Sequence, residues 1–290
     1  MVKNMAVKIV TDSTSYIPQS TLEALNITVV SLNVSFENTN HLETEMDLDL
    51  FYSKLSSLDK LPTSSQPSTD DLYQAFMQHI ENGHEVVGLF LSSEMSGTYS
   101  TAYLVKNMIL EIHPQASIEL IDARTNCMEM GFVAIDAAQA AIEGKSSQEV
   151  VRIARHTMQC TRFVFAPSTL EFLKKGGRIG NASSLLADIL KIKPVLTVEN
   201  GLTTTLAKIR THKKALEYML EVFTNEIKKY GYMDAIVHHI HSPNEAMNYA
   251  ATITSIVGKT PQVIPIGAVI GTHVGPGTIG IAYRTQKPMR

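Results

Sequence analysis

The sequence has little of what several function classes require. Its 290 residues hold two cysteines, Cys127 and Cys160, which lie far apart and form neither a metal-ligand nor a redox spacing. Two lone thiols point to a reducing compartment rather than a disulfide framework. No apolar run reaches the length of a membrane span, and the opening MVKNMAVKIV has neither a signal-peptide core nor a cleavage site. The expectation is a soluble, cytoplasmic protein. Net charge is only −3, and the 25 Lys and Arg are scattered apart from short pairs, so the concentrated basic surface that nucleic acid demands is missing. GxGxxG, the Walker GxxxxGK[ST] signature and GxSxG are also absent. No nucleotide site, no nucleophile elbow and no cofactor are expected.

What is present is 44% hydrophobic and 18% charged residues without a long polar tract, the composition of a chain folded throughout. The length suggests about two domains, each able to bury a core. The organising stretch is Glu85 to Met108, EVVGLFLSSEMSGTYSTAYLVKNM. Val86, Val87, Leu89, Phe90 and Leu91 make a near-continuous apolar run, as in a strand buried on both faces of a parallel sheet. Ser92, Ser93, Ser96, Gly97 and Thr98 follow, and then a helix with Tyr99, Ala102, Val105 and Ile109 on one face. Ligands of open α/β sheets bind beyond the strands' carboxyl ends, and a helix start attracts anions. Ser96 and Gly97 therefore mark a candidate anion site.

In chain order, Ala6 to Val10 reads as a strand ending on Thr11-Asp12-Ser13-Thr14, whose oxygens serve either a helix cap or a site. Pro18 to Leu25 reads as a helix, Thr28 to Phe36 as one strand, and Asn38 to Asp49 as a polar excursion. Pro67 keeps Gln66 extended, and Ser68 caps the next helix with Asp71 at the capping-box spacing. Thr63, Ser64 and Ser65 are left with free hydroxyls, which are either turn residues or donors to a carboxylate or phosphate. Strand Ser117 to Ile121 and helices Met128 to Ile142 and Gln148 to Thr157 continue a βαβ pattern that implies a parallel sheet.

The pattern restarts near residue 159. This sets an expected N-terminal α/β domain at 1–158 with a parallel sheet, and a C-terminal α/β domain at 159–290 with a mixed, partly antiparallel sheet. Strand Arg162 to Ala166 opens the second. Helices are expected at Thr169 to Lys174 and Ala182 to Leu190. Between them Lys174, Lys175 and Arg178 surround paired glycines, either as ordinary solvated surface or as a partner-docking patch. Asn200-Gly201 between Lys193–Val198 and Leu202–Ile209 is a hairpin signal, and Arg210 follows it, before helix Thr211 to Tyr230. Strand Met233 to Ile240, helix Asn244 to Val257 and strands Val263 to Ile266 and Thr278 to Arg284 complete the pattern. Ile270 to Gly277 reads as a glycine-rich connection carrying His273. His238, His239 and His241 lack a nearby carboxylate or thiol at ligand spacing and read as structural.

Five motifs in order, VTDST, SSQPS, LSSEMSGTYSTA, LKKGGRIG and HVGPG, resemble the DegV family of bacterial fatty-acid-binding proteins, the lipid-carrying subunits of fatty acid kinase. The resemblance spans almost the whole chain. It implies two α/β domains with a long-chain fatty acid between them and its carboxylate at the interface. It also implies a separate ATP-dependent kinase subunit that phosphorylates that carboxylate for phospholipid synthesis, and it leaves room for transient contact with a membrane surface. Carried over by motif, the carboxylate contacts fall on Ser96 and Gly97, on His273, on Arg210 after the hairpin, and on Ser64 with Ser65 beside it. The family's threonine in that last loop is Ser64 here, which keeps the hydroxyl and loses a methyl.

The residue chemistry agrees with a bound carboxylate, which is costly to bury unless it is paired and hydrogen-bonded. A rival reading is a serine hydrolase or acyltransferase with Ser96 as nucleophile, His273 as base and Asp12 or Asp122 as orienter.

Overall fold

The computed structural model describes residues 6–36, 39–55, 60–188 and 192–290. Strands β1 (Val7–Asp12), β2 (Thr28–Val30), β6 (Glu85–Phe90) and β7 (Ile118–Asp122) form a parallel sheet in the order β2-β1-β6-β7. The apolar run of β6 is buried on both sides because helices cover both faces. Helices α3 (Thr69–Ile80) and α4 (Thr98–Ile112) pack Phe76, Ala102 and Val105 against Val10, Val86 and Phe90. On the other face, α5 (Cys127–Ile142) sets Val133, Ala134 and Ala137 against Ile9, Val87 and Leu89. Helices α1 (Gln19–Leu25) and α6 (Ser147–Cys160) complete this layer, and Ser146 closes a full capping box with Glu149.

The expected strand Thr28 to Phe36 is two strands in different sheets. Leu32 donates its amide to Ser13 Oγ (3.1 Å) and accepts from the Glu43 amide (2.9 Å), so the chain leaves the parallel sheet there. Beyond it β3 (Asn33–Phe36) pairs antiparallel with β4 (Thr39–Leu42) and β5 (Thr63–Ser65). The expected excursion thus contains a strand and then α2 (Leu48–Leu55), which buries Phe51, Tyr52 and Leu55; Asn38 lies outside the described residues.

The C-terminal sheet holds β8 (Thr161–Ala166), β9 (Lys193–Glu199), β10 (Leu202–Ile209), β11 (Tyr232–Ile240), β12 (Gln262–Pro265) and β13 (Thr278–Thr285). Its order is β10-β9-β8-β13-β11-β12, and β11–β12 is its parallel pair. Asn200 (φ 51°) and Gly201 (φ 84°) supply the two left-handed residues of the hairpin turn. Helices α8 (His212–Tyr230) and α9 (Pro243–Val257) cover one face through Met219, Phe223, Tyr249 and Ile253. The other face sets Phe163 and Phe165 into the same apolar core as α5, which lies between the two sheets.

Two expectations in this half are corrected. Gly180–Asp188 is a 3-10 segment rather than an α-helix, in keeping with the poor helix formers Gly180, Asn181, Ser183 and Ser184; Ile189 and Leu190 lie outside the described residues. The glycine-rich connection is largely helical: α10 (Ala268–Val274) is buried along its whole length and carries His273 in its last turn. Short helix α7 (Glu171–Lys175) packs beside it. The result is two α/β domains, one with a parallel and one with a mixed sheet. Dividing them at residue 158 is our proposal; α6 ends at Cys160, β8 starts at Thr161, and the core runs across the junction. Among the described residues no helix is long and apolar enough to cross a membrane.

Candidate functional site

Three strands of the parallel sheet end on side chains that fix the loops beyond them. At the end of β1 the buried carboxylate of Asp12 accepts from the Thr14 amide (2.9 Å), the Thr14 hydroxyl (2.6 Å) and the Leu91 amide (2.8 Å). Asp12 thereby holds the exit of β6. Desolvation raises it to about 6 despite these hydrogen bonds. At the end of β7, Asp122 accepts from the Ser93 amide and hydroxyl and from the Arg124 amide. Ser92 Oγ donates to the Gly201 carbonyl (2.8 Å), and Arg124 reaches the Asn200 carbonyl, which locks the β9–β10 turn onto this edge.

The loops so held meet the second sheet around a cavity of about 260 Å³. Leu91, Phe163, Phe165, Leu173, Val198 and Ile270 give it an apolar wall. Its polar end holds Ser64, Ser65, Gln66, Ser96, Gly97, Asn126, Thr203, Arg178 and His273. Ser64 Oγ and His273 Nε2 are 2.7 Å apart. Burial, with the Arg178 guanidinium second, pushes His273 down to about 4, so its ring is neutral near pH 7 and its Nδ1 is buried without a partner among the described residues. Ser96 Oγ lies 2.9 Å from Thr98 Oγ1 and accepts from the Thr98 amide (3.3 Å) at the start of α4. The N-cap residue Gly97 contributes no side-chain cap, and the helix start adds its partial positive charge to the hydroxyls. Gln66 crosses over Gly97 to donate to Thr101 Oγ1 (2.6 Å), in space that a Cβ on Gly97 would occupy.

Ser64, Ser65, Ser96, Gly97 and His273 are thus brought together, and Arg210 is not. Arg210 is exposed beyond the end of β10; at strand rise it is roughly 23 Å along the chain from Thr203 in the wall. The cation at the cavity is Arg178, held by the Gly176 carbonyl (2.7 Å) and the Met95 carbonyl (3.3 Å). Lys174 is exposed and does not line the cavity. Sequence reasoning also missed Asn126, which is buried, donates to Met95 Sδ (3.3 Å) and leaves its Oδ1 unpartnered among the described residues. Its signal was available, since it follows the β7 end at the same sheet edge. Thr203, inside a hairpin strand, offered none.

This geometry disfavours serine hydrolysis. His273 bonds Ser64 rather than Ser96, and among the described residues no carboxylate orients its Nδ1. Both candidate orienters are occupied, Asp12 with Thr14 and Leu91, and Asp122 with Ser93 and Arg124. Among the described residues no group of three or more His, Cys, Asp or Glu is placed to hold a metal ion.

Fold and cavity together define a two-domain α/β protein with an apolar ligand chamber headed by hydroxyls, a neutral imidazole and one guanidinium. The chain belongs to the DegV family, whose model, described as an uncharacterised protein of the DegV family, matches residues 6–286. A DegV domain-containing protein of Clostridium acetobutylicum is 46% identical over 286 residues, covering 99% of this chain and 100% of that relative. DegV of Bacillus subtilis, a fatty acid binding protein, superposes with a TM-score of 0.88 at 30% identity over 97% of this chain and 100% of that one. A stearic-acid-binding protein of Eubacterium ventriosum does so with a TM-score of 0.88 at 25% identity, over 97% and 98%.

Proposed function

We propose that this chain binds one long-chain fatty acid and presents its carboxylate to a separate ATP-dependent kinase subunit, which converts it to an acyl phosphate. The observation that carries the reading is a single cavity whose apolar wall ends in Ser64, Ser65, Ser96, Gly97 and the neutral His273 beside a helix start. An acyl tail contributes about 0.8 kcal/mol per buried methylene. Each hydrogen bond to the carboxylate adds about 1.5 to 3 kcal/mol. The tail therefore dominates affinity and the polar end sets orientation. The fatty acids bound by the structural relatives from Bacillus subtilis and Eubacterium ventriosum support the same ligand class.

Native mass spectrometry of the purified chain tests the first half, with one fatty acid per chain expected. Protein that stays empty after incubation with palmitate and stearate sinks it. The second half is tested by adding the kinase subunit and ATP to loaded protein and trapping acyl phosphate with hydroxylamine. Absence of hydroxamate under conditions where the lipid is bound sinks the kinase role alone.

A further inference from the structure

A second, more open cavity of about 460 Å³ lies against the polar end of the first and shares His273 and Arg178 with it. Lys60, Leu61, Pro62, Thr63, Lys175, Gly176 and Thr272 complete its wall, and no Asp or Glu is among the lining residues. Lys60 comes from the segment before β5, and Lys175 and Arg178 from the end of α7 and the turn beyond it, so three cations converge from two distant parts of the chain. Arg178 spends its hydrogen bonds on the Met95 and Gly176 carbonyls and on no carboxylate. Among the described residues neither Lys60 nor Lys175 has an ion-pair partner. Another polar cavity, of about 380 Å³, is rimmed by Arg124, Arg155 and Arg290, with the carboxylate of Glu129 in its wall. Two of those guanidiniums are already paired, Arg124 with Glu94 and Asp122 and Arg290 with Glu129.

The wall between the buried and open cavities is His273 backed by Gly176. A Cβ at Gly176 would collide with the His273 ring at Nδ1, the nitrogen without a partner. The buried side offers hydroxyls, a neutral imidazole and the one shared guanidinium of Arg178, which suit a carboxylate of one negative charge. A phosphate monoester carries about −1.5 to −2 and three acceptor oxygens, for which cations are needed.

We propose that the open cavity is a phosphoryl site: it holds the phosphoryl group of an acyl phosphate whose tail occupies the buried cavity. This rests on the kinase-substrate reading above. In the step that makes the ligand, a carboxylate oxygen attacks the terminal phosphorus of a nucleoside triphosphate carried by the partner. The new C(O)O–P bond forms as the bond from that phosphorus to the bridging oxygen breaks, and the nucleoside diphosphate leaves with the electron pair. The ligand thereby gains negative charge on the side where Lys60, Lys175 and Arg178 stand.

Hexadecylphosphonate is a stable probe for this ligand, because its P–C bond does not hydrolyse. Its affinity and that of palmitate are to be measured by titration calorimetry on the full chain and on Lys60→Gln/Lys175→Gln. Both lysines are exposed, so the double variant folds, and far-UV circular dichroism checks it. The variant should lose about tenfold in phosphonate affinity, with palmitate affinity changed less than about twofold. The wild-type preference for phosphonate over palmitate should shrink with added salt. Equal losses for both lipids, or an unchanged phosphonate affinity with lost sedimentation on anionic vesicles, overturns the proposal. A wild-type chain that binds palmitate and ignores the phosphonate overturns it alone, whereas one that takes up neither lipid overturns the fatty-acid reading as well.

Discussion

An imidazole beside a carboxylate ordinarily gains charge, yet burial holds His273 at about 4. Its folded value lies below the ordinary 6.5, so between those values the unfolded chain binds more protons. The stability His273 contributes is therefore complete above pH 6.5 and lost as the pH falls toward 4. An arriving carboxylate favours the imidazolium and raises the value. NMR titration of the labelled ring, empty and loaded, should show that rise; an unchanged value means that the carboxylate lies elsewhere. Asp12 makes a second prediction at this scale. Its two oxygens accept from amides on opposite sides, Thr14 and Leu91. In Asp12→Asn the side-chain NH₂ must face one of those N–H groups in either orientation. Urea unfolding should register a loss of about 1 to 3 kcal/mol, and a neutral result would show that the loop after β6 is held by other contacts.

Among the elements, α10 shows how a short helix is fixed from outside. Glu43, on the segment after β4, accepts from the Val269 amide (2.8 Å) in the helix's first turn, from Tyr16 OH (3.0 Å) and from Ser13 Oγ. Tyr52 OH donates to the Ile266 and Gly267 carbonyls (both 2.8 Å) just before the helix and fits against Gly271, where any side chain would collide with it. These contacts from the N-terminal half orient the helix that carries Ile270 and His273. Burial pushes Glu43 up to about 7 against those hydrogen bonds. Its folded value is raised, so its contribution is complete below its ordinary 4.5 and lost as the pH rises through 7, on the order of 3 kcal/mol. Asp12, raised to about 6, acts in the same direction. Glu43→Gln keeps an oxygen for the Val269 amide and removes the titration. Its stability should fall less than wild type's between pH 5 and 8, with a residual slope from Asp12. Parallel slopes for the two proteins sink this account.

At the scale of the whole molecule, the chamber exists only where the carboxyl edge of one sheet meets the face of the other. The Ser92–Gly201 and Arg124–Asn200 contacts join these parts, and the core around α5 is common to both. Ligand effects should follow position in that assembly rather than charge alone. His273→Ala removes a contact at the head and should weaken fatty-acid binding about tenfold to a hundredfold without emptying the chamber, because the tail remains buried. Arg210→Ala, outside the cavity wall, should leave retained lipid at the wild-type level. Extraction and mass spectrometry of both variants check this. Lipid lost from Arg210→Ala would return that arginine to the head site.

Much of the fold was legible because it is written between near neighbours. The apolar run Val86 to Leu91, the Ser68 cap with Asp71 and the Asn200-Gly201 turn each depend on residues a few positions apart. The strand-end hydroxyls Ser64, Ser65 and Ser96 could be picked out by the same local rule. Tertiary structure alone decided the break of the second strand at Leu32, the helical state of Ala268 to Val274 and the choice of Arg178 over Arg210. Each of these depends on a group contributed from afar: Ser13 and Glu43 at Leu32, Glu43 and Tyr52 at α10, and the direction in which β10 carries Arg210 away. The pair at the head of the chamber, Ser64 and His273, is separated by 209 positions. No periodicity of 2 or 3.6 residues spans such a gap; packing of the two halves onto one core brings that hydroxyl and that ring to 2.7 Å.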